Sequence, residues 1–458
     1  MSGRAYILCR FARESNLYRP WLQRLSLPVH VVDTTLIGWK VPDDAAILIT
    51  HMHYRWDEYQ VLRSVYALDR VPILILADGV MEYRNIYEHP DLADGCIFQP
   101  VVGHKLACLG RAQARIVESW GNVGKCEIVG LPRLDASFSQ PVEPREEQGP
   151  FRLLIATATT PAFNAVQRRA VIQSLGQIKN IIEEMGQVHG RPIEVQWRLT
   201  DGYDFELGIT PPDTQQQVPP LDEAITHADA VMTTPSTLFL ESALRGRPTA
   251  LLDFHLAPQF IASAWTISEP QQVRSIISDL AQPPAAKMLF QWTSLHDQLR
   301  FDGGATDRMV SLIEEMVWAG RESRSAGLRV HLPARMVDDP DAGFARVEPF
   351  FDLRRLFPAN STFHNQDLAA MQVELNLAVE RLKDKEDAIR NLKAQLAYLR
   401  KRMSEGKTQY KTLKGRLLKA RGRLKNFREQ VARLMKQVSE LSGKSETSPS
   451  TSPEKSKP

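Results

Sequence analysis

The chain has 458 residues, of which 43% are hydrophobic and 24% charged, and a formal net charge of +3. That composition belongs to an ordinary globular protein with room for two to three domains. No apolar run approaches the ~18 residues needed to span a bilayer, and the spacing of Cys and His offers no metal-binding pattern.

The opening segment reads as a first strand and not as a signal peptide, so cytosolic residence is the expectation. Over the first 140 residues, short apolar runs alternate with amphipathic stretches. Strands are expected at 5–9, 29–33, 46–50, 72–76, 95–99 and 126–129, and helices at 56–68 and 105–120. The strands are almost continuously apolar, which suits a parallel sheet covered on both faces. Cys9, Cys96 and Cys126 lie in such runs and, with Cys108, are expected to be free thiols. The polar stretch QPVEPREEQG at 140–149 reads as a linker.

The pattern then restarts. Strands are expected at 151–156, 193–199, 230–233 and 248–253, and helices at 162–185, 221–227, 238–245, 271–280 and 306–319. The fold class is therefore α/β, with two doubly wound, Rossmann-like domains at 1–140 and 150–321. Residues 322–365, rich in Pro, Arg and Asp, read as a connector.

An apolar residue then recurs every seventh position from Leu368 to Val438, with a second seam three residues on from Met371 to Leu441. Lys385 and Gly406 interrupt the second seam. This heptad predicts a coiled coil over 366–443, ~110 Å long, with Gly406, Gly415 and Gly422 weakening its middle. From Arg400 to Lys436 there are fourteen Lys or Arg against Glu405 and Glu429. A basic arm on an acidic body suggests a polyanionic partner, either anionic membrane or an anionic polymer, and the seam suggests a homo-oligomer. The tail at 444–458 is expected to be disordered.

The most informative stretch is ADAVMTTPSTLFLESALRGRPTALLDFH at 228–255. A strand runs through a short polar turn straight into a helix, and open α/β sheets bind ligands at such carboxyl ends. Ser236 and Thr237 stand at the helix start, where hydroxyls and backbone N–H groups hold a diphosphate. Glu241, one turn along, can accept two hydrogen bonds from a vicinal diol. Thr157, Thr159 and Thr160 follow the first strand of the same domain and face the same edge.

This turn, with Gly246-Arg247-Pro248 five residues after Glu241, resembles the nucleotide half of GT-B glycosyltransferases. It is also similar to CDP-glycerol glycerophosphotransferases and capsule or surface-polysaccharide transferases. The segment Gly130-Leu131-Pro132-Arg133-Leu134-Asp135 looks like the G-x-P-R-x-D exit from their N-terminal domain. VQWRL at 195–199 stands where they often carry R-x-H-P; Arg198 matches the Arg, and Thr200-Asp201 replaces His-Pro.

The resemblance covers about residues 1–320. It implies that Ser236 and Thr237 hold the donor diphosphate, with Arg198 beside it, and Glu241 the ribose, while the N-terminal domain takes the acceptor; Thr157, by its place after the first strand, is expected to touch phosphate. There Asp78-Gly79-Val80-Met81-Glu82-Tyr83-Arg84 resembles runs in surface-carbohydrate proteins. Asp78, Glu82 or His104 is the expected general base, with His51 and His53 as further loop histidines. Arg10, Arg13 and Arg84 are expected to meet an anionic acceptor.

No GxGxxG follows the first strand and no P-loop is present, so a classical NAD or P-loop site is not expected. No metal or cofactor is expected either, beyond the nucleotide-sugar or CDP-polyol donor that serves as substrate. The reading is a transferase moving a sugar or sugar-alcohol phosphate to a cell-surface glycan or lipid-linked acceptor, at the inner face of the cell membrane. A non-catalytic coiled-coil tether for membrane or nucleic acid, and a nucleotide-sugar epimerase of the same fold, are its alternatives.

Overall fold

The computed structural model describes residues 3–9, 15–32, 38–93, 97–138, 142, 149–209, 219–300, 302–338, 389–390, 393, 411–433 and 436. The chain divides into two compact units, Met1–Gln372 and Val373–Pro458, and each is taken by itself.

The first unit opens with β1 (Arg4–Leu8), α1 (Ser15–Leu22), β2 (Val29–Val32), β3 (Ala45–Thr50), α2 (Trp56–Leu68), β4 (Ile73–Leu76), α3 (Tyr83–Tyr87), β5 (Lys105–Cys108), α4 (Arg111–Ser119), β6 (Cys126–Ile128) and α5 (Asp135–Phe138). The six strands form one parallel sheet in the order β2-β1-β3-β4-β5-β6. Central strands such as β3 and β4 are buried along their whole length, which is why they read as unbroken apolar runs.

A second lobe follows with β7 (Phe151–Ala156), α6 (Ala165–Met185), β8 (Gln187–Val188), β9 (Arg191–Arg198), α7 (Tyr203–Glu206), α8 (Leu221–His227), β10 (Ala230–Thr233), α9 (Leu238–Leu244), β11 (Thr249–Leu252), β12 (Trp265–Ile267), α10 (Gln272–Ala281) and α11 (Ala285–Gln298). Its sheet runs β12-β11-β10-β7-β9-β8, parallel except where β8 meets β9. The Asn164 side chain starts α6 by accepting from the N–H groups of Val166 and Gln167 at 3.0 Å, and Gly186, at φ 62°, ends it.

The last helix, α12 (Ala305–Ser325), returns to the first lobe. Its buried Met309, Leu312, Ile313 and Met316 join the apolar cluster of Ile7, Ile47 and Leu74 on the first sheet. Asp135 caps it, accepting from the N–H groups of Ala305 (3.0 Å) and Thr306 (2.7 Å). The sequence grouping of 306–319 with the second domain therefore does not match where this helix packs. The connector's first part, to residue 338, also lies against the first lobe.

One sequence expectation fails outright. Residues 105–108 are a strand and not the start of a helix, and Ile97, Phe98 and Gln99 form turn rather than strand. The misleading residue is Lys105, which is 1% exposed and bonds Glu127 Oε1 at 2.5 Å, the Gly124 carbonyl at 2.9 Å and the Ala334 carbonyl at 3.0 Å. Glu127 in turn accepts from the N–H groups of Met336 and Val337. A charge buried by a partner far along the chain looks, in sequence, like a polar helix face. Cys9, Cys108 and Cys126 are buried and stand outside any disulfide.

Most of the predicted coiled coil lies outside the described residues. Within it, 411–433 are helical and every side chain there is exposed.

Removing one partner of a buried pair strands the other charge. Lys105→Met should therefore cost about 3–5 kcal/mol of folding stability, read from denaturant titration, and should loosen the strap at 334–337, read as faster hydrogen exchange at Met336 and Val337.

Candidate active site

In the second sheet the strand order reverses at β7, between β10 on one side and β9 on the other. A crevice opens there at the carboxyl ends of the strands, as expected for this architecture. It leads into a cleft of about 1160 Å³ between the two lobes. One wall carries Thr157, Ser236 and Thr237 from the turns after β7 and β10, with Glu241 of α9; the other carries Asp78 and Glu82 from the loop after β4 and Asn85 of α3.

The turn after β7 is tightly tied. Thr157 Oγ1 accepts from Thr200 N–H at 3.0 Å and lies 3.0 Å from Thr200 Oγ1, which donates to the Ala158 carbonyl at 2.7 Å. Ala158 N–H donates to Thr234 Oγ1 at 2.7 Å, joining this turn to the one after β10. Ser236 Oγ lies 3.2 Å from Thr233 Oγ1. Thr159 and Thr160 are exposed on the cleft rim.

Six of the seven residues of α9 are buried; Glu241 is the exception. Its carboxylate accepts a hydrogen bond from Arg133 of the first lobe, and the two side chains are 14% and 30% exposed. Arg133 belongs to the Gly130–Asp135 motif, yet its place opposite Glu241 was not foreseen. The two residues are 108 apart in sequence, and only the fold brings them together. Arg198 also lines the cleft, with one N–H on the Pro219 carbonyl at 2.5 Å.

On the facing wall Asp78 is exposed. Gly79 is held so close to the other lobe that a Cβ there would stand 2.5 Å from Thr237 Oγ1. Glu82 is buried and paired with Arg84, and burial pushes its carboxyl above the ordinary range although Arg84 opposes this. Arg84 is itself 2% exposed and donates to the Pro161 carbonyl of the second lobe. It therefore ties the lobes together and does not present itself to an acceptor in the main cleft.

His104 is also not at the site. It stands just before β5, at the amino end of the first sheet, 2.7 Å from Asp69 Oδ1, and accepts from Ile73 N–H. In a parallel sheet that is the edge opposite the cleft, so the expectation of a base there is corrected. His51 and His53 are core residues: His51 Nδ1 lies 2.5 Å from the Tyr18 hydroxyl, and His53 packs on Phe98. Arg10 and Arg13 lie outside the described residues.

No protein-family model matches the chain, and no curated protein is similar to it in sequence. Among solved structures it is similar to the wall teichoic acid polymerase TagF soaked with CDPG, at 10% identity over 70% of this chain and 90% of the other, with a TM-score of 0.44. It is also similar to Methanocaldococcus jannaschii UDP-GlcNAc 2-epimerase in complex with UDP-GlcNAc and UDP (11%, 69% and 99%, TM-score 0.45). A third is Acinetobacter baumannii MurG (10%, 69% and 100%, TM-score 0.37). These structures are of the GT-B type that the sequence motifs resemble. At such identities and TM-scores the likeness carries no argument about activity or substrate. No helix among the described residues is long and apolar enough to cross a membrane.

Burial holds three histidines neutral. His53, His255 (beside Arg84) and His296 are each pushed from 6.5 down to about 4. The unfolded chain protonates them near pH 6.5, whereas the folded chain resists until about pH 4, so their contribution to stability falls away across that window. Thermal melts should show a falling Tm from pH 7 to 5, with a shallower slope in His255→Asn.

Proposed function

We propose that the chain is a glycosyltransferase-like enzyme that moves a sugar or sugar-alcohol phosphate from a nucleotide donor to a glycan or lipid-linked acceptor. The observation that carries this reading is Glu241, the one residue of α9 left unburied, facing a large interdomain cleft one turn beyond Ser236 and Thr237. A ribose diol would bond its carboxylate, sharing it with Arg133. The diphosphate would lie over the Thr157–Thr160 and Ser236–Thr237 turns, where hydroxyls and backbone N–H groups converge, with Arg198 alongside.

The acceptor would enter from the opposite wall. Asp78, exposed in the cleft, is the proposed general base: it takes the proton of the acceptor hydroxyl as that oxygen attacks the donor and the nucleotide leaves. Glu82 is the second carboxylate on that wall, fixed in place by Arg84. The leaving nucleotide, a diphosphate when a sugar is moved and a monophosphate when a sugar-alcohol phosphate is moved, would be stabilised by the two turns and Arg198.

The test is thermal shift of the full chain against a panel of UDP- and CDP-linked donors, followed by product analysis. One donor at ~100-fold excess over Kd should add about 2.7 kcal/mol. Glu241→Ala should abolish that shift; Asp78→Asn should keep the shift and lose turnover by about 10²-fold or more. If no donor shifts the melt, the α/β body is a non-catalytic module.

A further inference from the structure

The helix at 411–433 carries a surface that the cleft does not explain. It has nine Lys or Arg against a single acid, Glu429, and all its side chains are exposed. At 3.6 residues per turn, Leu413, Leu417, Leu424, Phe427 and Val431 fall with Ala420 on one stripe ~80° wide. Leu417, Leu424 and Phe427 are 56%, 53% and 63% exposed. Cations border the stripe on both sides: Lys414, Arg421 and Arg428 along one flank, Arg416 and Arg423 along the other.

Those flanks decide what can cover it. In a parallel pair of this helix, the residues bordering the seam meet across it with an offset of five. Arg416 would then face Arg421 of the second copy, and Arg423 would face Arg428. In an antiparallel pair each flank meets its own like, and both flanks are basic. A second copy therefore buries the stripe only by setting Arg against Arg. A nucleic acid would satisfy the cations and leave Leu417, Leu424, Phe427 and Val431 in water. A bilayer surface rich in anionic lipid satisfies both: phosphates meet the two flanks while the stripe enters the acyl boundary, with the Lys and Arg stems lying along it.

We propose that the 411–433 helix is a membrane-surface anchor selective for anionic lipid, lying in the interface plane on its Leu–Phe–Val stripe. This does not depend on the reading of the cleft.

The test is co-sedimentation of the full chain with vesicles of phosphatidylcholine alone or mixed with phosphatidylglycerol. Two variants accompany it: Leu417→Glu with Leu424→Glu, which breaks the stripe, and Arg421→Glu with Arg428→Glu, which reverses one flank. Both pairs are exposed, so the α/β body should melt as before. The expected result is binding to the mixed vesicles alone, reduced at least tenfold by either variant and by raising salt to about 0.5 M. Equal binding to pure phosphatidylcholine overturns the proposal. So does wild-type binding by the Leu417→Glu, Leu424→Glu chain, which would mean simple adsorption of a polycation. Absence of vesicle binding also overturns it; a stable dimer in sedimentation that dissociates in the same variant then assigns the stripe to a second copy, and salt-sensitive binding to duplex DNA or RNA indifferent to that variant assigns the cations to nucleic acid.

Discussion

The arrangement of the cleft rests on the burial of one short helix. α9 lies in an apolar cluster that both lobes build: Phe239, Leu240 and Leu244 pack with Ala77, Leu109 and Leu131 of the first lobe and with Trp292 and Leu295 of α11. A single amphipathic face cannot do this; the helix must be apolar on nearly every side, and its sequence, LFLESAL, is. The consequence is positional. With its neighbours committed to the core, Glu241 is the one α9 side chain left unburied, and it lines the cleft beside Leu238. A shared apolar cluster of this kind also holds the lobes together more firmly than a polar interdomain contact would.

Around that cluster, polar contacts cross between the lobes, among them the paired hydrogen bonds of Arg115 on α4 to Asp297 on α11. Arg133 meets Glu241, Arg84 meets the Pro161 carbonyl, and Gln167 donates to Glu88 at 2.6 Å. Among the described residues the cleft is lined by four carboxylates, Asp78, Glu82, Asp204 and Glu241, against Arg133 and Arg198. On the function proposed above, a nucleotide diphosphate would enter a site whose side chains do not by themselves offset its charge. The turns after β7 and β10, with their dipoles and hydroxyls, would have to supply the difference.

The sequence was most legible where burial is two-sided. Phe151–Ala156 and Ala230–Thr233 are bounded in the structure as the residue pattern bounds them, since a strand covered on both faces leaves no polar residue to blur it. It was least legible where a residue's meaning depends on a distant partner. Lys105 reads as solvated until Glu127 and the Ala334 carbonyl are seen around it. α1 carries an internal proline, Pro20, and β12 is only three residues long, so neither gives a periodic signal. The same holds at the site. The Ser236–Glu241 turn is local and could be placed from its own residues, whereas the pairing of Arg133 with Glu241 and of Arg84 with Pro161 exists only in three dimensions. His104 reads as a strand-end histidine only if residues 95–99 are a strand; in the fold it precedes β5 instead.

The return of α12 to the first sheet makes the second lobe an insertion. Residues 149–300 follow α5 of the first lobe and lead back into it through α12, so the second lobe is moored at both of its ends, like the bow of a handle. It cannot drift away when its own contacts loosen: local melting there stays tethered, and reclosure is an intramolecular event with a high effective concentration. The returning end sits on the first lobe, where Arg300 donates to the Ile128 and Asp338 carbonyls beside α12 and Asp135. The chain accordingly has a seat of continuity on one lobe and an excursion on the other, and an exchange of the excursion alone would leave that seat intact.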